Sequence, residues 1–292
     1  MYYKVTNKKE NHHGFQYVDG LNILIEPFSP TGSCVPGGFY FTTKEHIHKF
    51  YNYGINLRLV TLPESDPDFQ MVKDPSGDKW RANKIILGKK YSLFDPVTYQ
   101  ELNLDITANK FFIDYACRDG CIDVLNWWTD CSLVPAFDYS HGAINWASAN
   151  GHSNVLEWWL KSNLELRYTR DAITWASTNG HSDVLEWWKK SGLKLMYNTD
   201  AIYYASCMCH VNALDWWKNS GLELKYNHNA IISAINHGHI NILEWWKNSG
   251  LELKYTDTVI VWPKNNLVRE WLKENKFDKN LNIFSIKSVP IH

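Results

Sequence analysis

The chain has 292 residues, room for one large domain or two ordinary ones. Its 30 Lys and Arg nearly balance its 31 Asp and Glu, for a formal charge of -1, so no global field draws phosphate backbones and no nucleic-acid partner is expected. No run approaches about 18 apolar residues, and the opening MYYKVTNKKENHH lacks a signal-peptide core; the expectation is a soluble chain, without a membrane partner, that stays where it is made.

In chain order, short alternating runs predict strands at 2–5, 21–25, 38–42, 57–62, 84–87 and 90–93. A helix is expected over 44–53, with Thr43 as its cap and Gly54 as its stop. The turn formers SPTGS, VPGG, PESDP and DPSGDK separate these elements. Residues 1–103 therefore read as an α+β N-terminal domain with a single tryptophan, Trp80. The stretch LFDPVTYQELNLD leads out of it. The cysteines (Cys34, Cys117, Cys121, Cys131, Cys207 and Cys209) form no C-x-x-C pair and no disulfide framework.

A repeat then takes over. Tryptophan doublets stand at Trp127-Trp128, Trp158-Trp159, Trp187-Trp188, Trp216-Trp217 and Trp245-Trp246, spaced by 31, 29, 29 and 29 residues. Gly-His precedes three of them, at Gly151, Gly180 and Gly238, and a GLELKY-like segment follows. Such a period predicts an all-α solenoid whose units bury their apolar faces only by stacking. Each unit reads as two short helices. In the unit from Asp171, that residue caps the first helix, Gly180 breaks it, Ser182 or Asp183 starts the second, and Gly192 ends it after two lysines. Val184, Leu185 and Trp188 share one face of the second helix; Ile173, Trp175 and Ala176 supply the first. The second rings, Trp128, Trp159, Trp188, Trp217 and Trp246, together with Trp271, are expected as structural core. In the last unit, NNLVREWLKEN, Glu270-Trp271 is read in the place of a doublet, with a charge substituting for the first ring and the second ring kept. Five Trp-Trp units and a capping unit fill 104–278, and 279–292 is a tail.

The stretch DAITWASTNGHSDVLEWWKKSGLKL resembles the ankyrin repeat, with Ile173, Trp175 and Ala176 at first-helix positions, Gly180-His181 at the inter-helix turn and Val184-Leu185 in the second helix. It lacks the Thr-Pro-Leu-His opening, and its period falls short of the usual one of about 33, so the finger hairpins should be short or replaced by loops. In the N-terminal half, FQYVDGLNIL, CVPGGFYFTT, FYNYGINLRLVTLP and MVKDPSGDKWRANKIILGKKYSL are similar to the N-terminal domain of the mimivirus family of ankyrin-repeat proteins. That resemblance implies a giant-virus protein in the host cytoplasm or the virion, with no established activity and no cofactor.

Where would such a chain act? The residues ending each first helix change from unit to unit: Arg118-Asp119, Ala149-Asn150, Thr178-Asn179, Cys207-Met208 and Asn236-His237. The resemblance implies that they line a concave face; unconstrained drift is the alternative. The expected function is a non-catalytic scaffold gripping a viral or host protein through Arg118, Asp119, Asn150, Thr178, Asn179, Cys207, Met208, Asn236 and His237, with no small-molecule substrate. Two alternatives stay open. One is an enzyme with an ADP-ribosyltransferase-like N-terminal domain, suggested by His12, His13 and GGFYFTT around Tyr40, with Glu26 or Glu45 as carboxylate. The other is an adaptor to host ubiquitin ligases. The recurring His152, His181, His210 and His239 read as turn residues rather than a metal ladder, because units about 10 Å apart cannot share one ion. No metal site is expected, with Cys207-Met208-Cys209-His210 and His46-Ile47-His48 considered and set aside.

Overall fold

The computed structural model describes residues 1–130, 138–254, 260–261, 265–275 and 283–284. Most of the expected tail, together with Cys131 and Tyr255, lies outside the described residues. The chain divides into two compact units, one of Met1–Ile113 with Asp123–Asp138, the other of Asp114–Ile122 with Tyr139–His292. Residues 1–92 are rich in strands and the rest of the described chain is rich in helices.

In the first unit the strands are β1 (Tyr2–Thr6), β2 (Asn11–His12), β3 (Phe15–Gln16), β4 (Gly20–Ile23), β5 (Phe39–Phe41), β6 (Asn56–Thr61), β7 (Met71–Lys73), β8 (Trp80–Ala82) and β9 (Lys84–Ser92). A four-stranded antiparallel sheet runs β1-β6-β9-β4, with Tyr2 opposite Val60 and Leu21 opposite Ile86. A second sheet runs β5-β8-β7, and β2-β3 is a hairpin. Alternating apolar residues turn inward from these strands: Phe39, Phe41, Val60, Ala82, Ile85 and Leu87 form a core with Tyr17.

Three expectations change here. The two strands at 84–87 and 90–93 are one, β9: its register against β6 shifts at Gly88 and Lys89, and pairing continues on both sides of the shift. The helix expected over 44–53 is a 3-10 helix, Ile47–Tyr53, preceded by the i to i+3 bond from His46 N–H to the Thr43 carbonyl. Gly54 ends it for a different reason from a left-handed cap: its backbone is extended (φ 176°), and a Cβ there would lie 2.1 Å from the Thr6 carbonyl oxygen.

Lys4 sits inside this unit, 6 % exposed, donating from Nζ to the Tyr40 carbonyl (2.8 Å) and lying 4.7 Å from the Tyr17 ring centroid. Burial lowers its pKa to about 7, against 10.5 for a solvated lysine. Between those values the unfolded chain holds the proton that the folded chain has released, so stability rises with pH across that window. Urea unfolding followed by circular dichroism should show a gain on the order of 1 kcal/mol from pH 7 to pH 9, flattened in Lys4→Met. A wild-type profile as flat as the variant's would refute this account of Lys4.

The helices are α1 (Pro96–Glu101), α2 (Phe112–Arg118), α3 (Ile122–Asp130), α4 (Gly142–Ala149), α5 (Ser153–Lys161), α6 (Asp171–Thr178), α7 (Ser182–Lys190), α8 (Asp200–Cys207), α9 (Val211–Asn219), α10 (Asn229–His237) and α11 (Ile240–Asn248). The strands β10 (Ile260–Val261) and β11 (Ile283–Phe284) pair in parallel, and α12 (Asn266–Glu274) lies between them in sequence. In the second unit, the first helices α4, α6, α8 and α10 pack each on the next, and the second helices α5, α7, α9 and α11 do likewise. Among the described residues no helix is long and apolar enough to cross a membrane.

Candidate partner-binding surface

What holds each helical pair to the next decides which side chains are left over for a partner. The second ring of each doublet is no more than 1 % exposed, while the first is half-buried. The two rings meet edge to face, at 5.1–5.3 Å between centroids from Trp158-Trp159 to Trp245-Trp246. The buried indole N–H groups reach back one unit: Trp188 donates to Ser148 Oγ (3.1 Å), Trp217 to Ser177 (3.0 Å) and Trp246 to Ser206 (3.3 Å). Trp159 donates to Cys117 Sγ at 3.2 Å. The half-buried rings reach back too, from Trp187 to Glu157 (3.0 Å), Trp216 to Glu186 (2.9 Å) and Trp245 to Asp215 (2.6 Å). These bonds, with Lys161 and Lys190 one turn on, hold Glu157 and Glu186 below the usual carboxylate range.

The last helix corrects one expectation. Trp271 donates to Glu244, as the first rings Trp187, Trp216 and Trp245 donate to the acid one unit back, and Leu272 is fully buried. Glu270-Trp271-Leu272 therefore aligns with Glu-Trp-Trp: Trp271 is the first ring, and leucine replaces the second. The first helices bring another correction. Ile173 and Ala176 are buried, as are Ile144, Ala147, Ile202 and Ala205, but Trp146 and Trp175 are only half-buried and Tyr204 is 39 % exposed. Tyr115 stacks on Trp146 at 5.5 Å and 11°. The position between the two buried residues turns outward at 100° per residue, and it forms an aromatic stripe.

Asp171 also differs from its expected role. It is the first residue of α6, and its N–H donates to Thr169 Oγ1 (3.2 Å). Ser140, Asn198 and Asn227 do the same for Gly142, Asp200 and Asn229, so at α4, α6, α8 and α10 the turn residue two positions upstream satisfies an N–H at the helix start. The recurring histidines open the second helices and pack on the glycine one unit back: a Cβ on Gly120, Gly151 or Gly180 would lie 2.5–2.8 Å from the ring of His152, His181 or His210. His239 instead bonds the Cys207 carbonyl through Nε2 (2.9 Å). Burial, and then His181, lowers the pKa of His210.

The variable residues emerge at the ends of the first helices. Arg118 pairs with Asp119 (2.9 Å) and lies over the Tyr115 ring at 4.5 Å. Asn150 is exposed and bonds its own helix at the Trp146 carbonyl. Thr178 bonds the Thr174 carbonyl, while Asn179 reaches the Ala149 carbonyl of the preceding unit (2.6 Å). Of the next pair, Met208 is 52 % exposed, but Cys207 is buried with Sγ 3.7 Å from the His237 ring nitrogens. Asn236 and His237 are exposed, and His237 stacks on His239 at 5.8 Å. No three His, Cys, Asp or Glu side chains converge on a metal-sized site among the described residues.

In the first unit, two of the groups that suggested catalysis, Tyr40 and His12, hold backbone in place. Tyr40 Oη bridges the backbone of Val35 (2.9 and 3.0 Å) and accepts from Arg81, which also bonds the Thr31 carbonyl. His12 Nε2 accepts from Asn7 N–H at 3.2 Å, and burial, Lys4 and His13 lower its pKa to about 4. The tyrosine and the histidine thus pin separate stretches of backbone.

No protein-family model matches the chain. It is similar to "Putative ankyrin repeat protein R868" of Acanthamoeba polyphaga mimivirus, 40% identical over 162 residues, which cover 54% of this chain and 80% of that relative. Proteins R896 and R229 of the same virus carry the same description. They are 40% identical over 128 residues and 47% identical over 112 residues, covering 42% and 36% of this chain. The matches span only 39% and 36% of those two relatives.

Proposed function

Because the chain belongs to the mimivirus family of ankyrin-repeat proteins, we propose that it is a non-catalytic interaction scaffold: its helical pairs form a solenoid, and the ends of the first helices, with the aromatic stripe beside them, grip a partner protein. One observation carries this reading. Buried positions repeat from unit to unit as indole, serine and alanine, while the exposed or half-buried helix ends read Arg118-Asp119, Asn150, Thr178-Asn179, Met208 and Asn236-His237. Positions that only hold the stack have reason to stay alike; positions that contact a particular partner have reason to differ. Trp146, Trp175 and Tyr204 add ring area that can be desolvated by a partner at little entropic cost. On this reading residues 1–103 form a separate N-terminal domain, 104–278 the repeats and 279–292 a tail. The place of action is the host cytoplasm.

The test is affinity capture from infected host cells, comparing the wild type with an Asn150→Glu, Thr178→Lys, Met208→Glu triple variant. These side chains lie at the exposed or half-exposed ends of their helices, so the variant should melt at an unchanged temperature and lose at least about tenfold of its specific partner. An identical partner list and yield from a folded variant would eliminate this surface.

A further inference from the structure

We propose that the surface between two successive inter-unit loops, residues 168–170 and 194–198, carries a second subsite, which takes an acidic side chain from an extended segment of a partner polypeptide. In neighbouring units the loop tyrosine is covered from within the chain. Arg167 lies over the Tyr139 ring at 4.7 Å and pairs with Glu165 (2.8 Å). Lys225 lies over Tyr197 at 4.7 Å and pairs with Glu223 (3.6 Å); Lys254 lies over Tyr226 at 4.4 Å. The period of 29 places Met196 where those units have Arg167, Lys225 and Lys254, and Lys194 where they have Glu165, Glu223 and Glu252. This one unit has lost the covering cation and exchanged the carboxylate for a positive charge.

At that place the surface sinks into an open depression of about 590 Å³, lined by Tyr168, Arg170, Lys194, Met196 and Tyr197 among others. Tyr168 Oη still bonds the Lys194 carbonyl (3.2 Å), so the frame of the loop is kept. Arg170 and Lys194 are exposed, and among the described residues neither side chain has an ion-pair partner. Two uncompensated cations beside an aromatic wall favour an anion, and the sister units show which kind: a carboxylate on the backbone of an extended chain. A partner's Glu or Asp would restore in trans the ion pair that Glu165 and Glu223 make in cis. The subsite is distinct from the first-helix ends, and a failed peptide titration leaves the outcome of the capture experiment unaffected.

The experiment is an amide chemical-shift titration of the isotope-labelled full chain with penta-glutamate, penta-glutamine and inorganic phosphate. Penta-glutamate should shift residues 168–170 and 194–198. The double variant K194E/M196K, which writes the sister sequence into this loop, should bind about tenfold more weakly at an unchanged melting temperature. Arg170→Gln, at an exposed position, should weaken binding in the same direction. Shifts elsewhere, equal binding of penta-glutamine or phosphate, or full affinity in either folded variant would overturn the assignment.

Discussion

Replacing Trp188 by alanine should cost the repeat region about 3–5 kcal/mol and lower its melting temperature on the order of 10 °C. The ring is 1 % exposed, with Tyr168 packed at 4.9 Å and Trp187 edge-on at 5.3 Å. Its loss leaves a cavity of indole size between helices too short to collapse around it. It also strands Ser148 Oγ, fully buried, which accepts the indole N–H. A hydroxyl left unbonded in the interior adds about 1–3 kcal/mol unless it finds another partner. Trp187→Ala is the control. That ring is half-buried and its N–H serves a carboxylate in reach of water, so its removal should cost about half as much. Urea unfolding of the two variants side by side measures the difference. Equal losses would mean that the doublet shares the load and that the inner ring has no special place.

The mortar between the units was only half legible from the residues. The apolar period identifies a second-helix face, and Val184, Leu185 and Trp188 do lie buried together. Nothing in a local pattern, however, joins Trp188 to Ser148, forty positions upstream, or Tyr168 to the Lys194 carbonyl; such pairs exist only once units are stacked. The repeat pattern groups Trp175 with Ile173 and Ala176 as apolar first-helix residues, whereas its position between those two turns it outward and leaves it half-buried. In sequence a single indole matches either member of a doublet; the bond from Trp271 to Glu244 and the fully buried Leu272 settle the register. In the first unit β9 runs through Gly88 and Lys89, where its register against β6 shifts, so the alternation in the sequence breaks inside a single strand. The candidate surface was legible as a contrast between repeating and changing positions, yet Cys207 and Met208, adjacent in sequence, lie on opposite sides of the surface. Partner chemistry leaves no period to read, which is why a departure such as Lys194 and Met196 becomes informative only beside its sister units.

The inter-helix glycine tests whether the units lock through histidine. Gly180 has φ +77° and Gly192 has φ +74°, so alanine at either position pays the left-handed penalty of about 1–2 kcal/mol. The two differ in what a methyl group would meet. At Gly192 there is nothing within 4 Å, whereas at Gly180 the new Cβ would lie 2.5 Å from His210 Nδ1 in the following unit. His210 opens α9 and its backbone N–H is held by the Ala205 carbonyl at 2.9 Å, so the imidazole can move aside only by turning about its own side-chain bonds. Gly192→Ala should therefore cost about 1 kcal/mol and Gly180→Ala about 2–3 kcal/mol, the excess being overlap between units. His210→Ala removes the ring that the methyl group strikes. In the double variant the excess should disappear, giving a coupling energy of at least about 1 kcal/mol between residues thirty positions apart. Urea unfolding of the four proteins closes the cycle. Additive losses, or equal losses at Gly180 and Gly192, would show that the histidine merely rests near the glycine and that the units are held by their indoles alone.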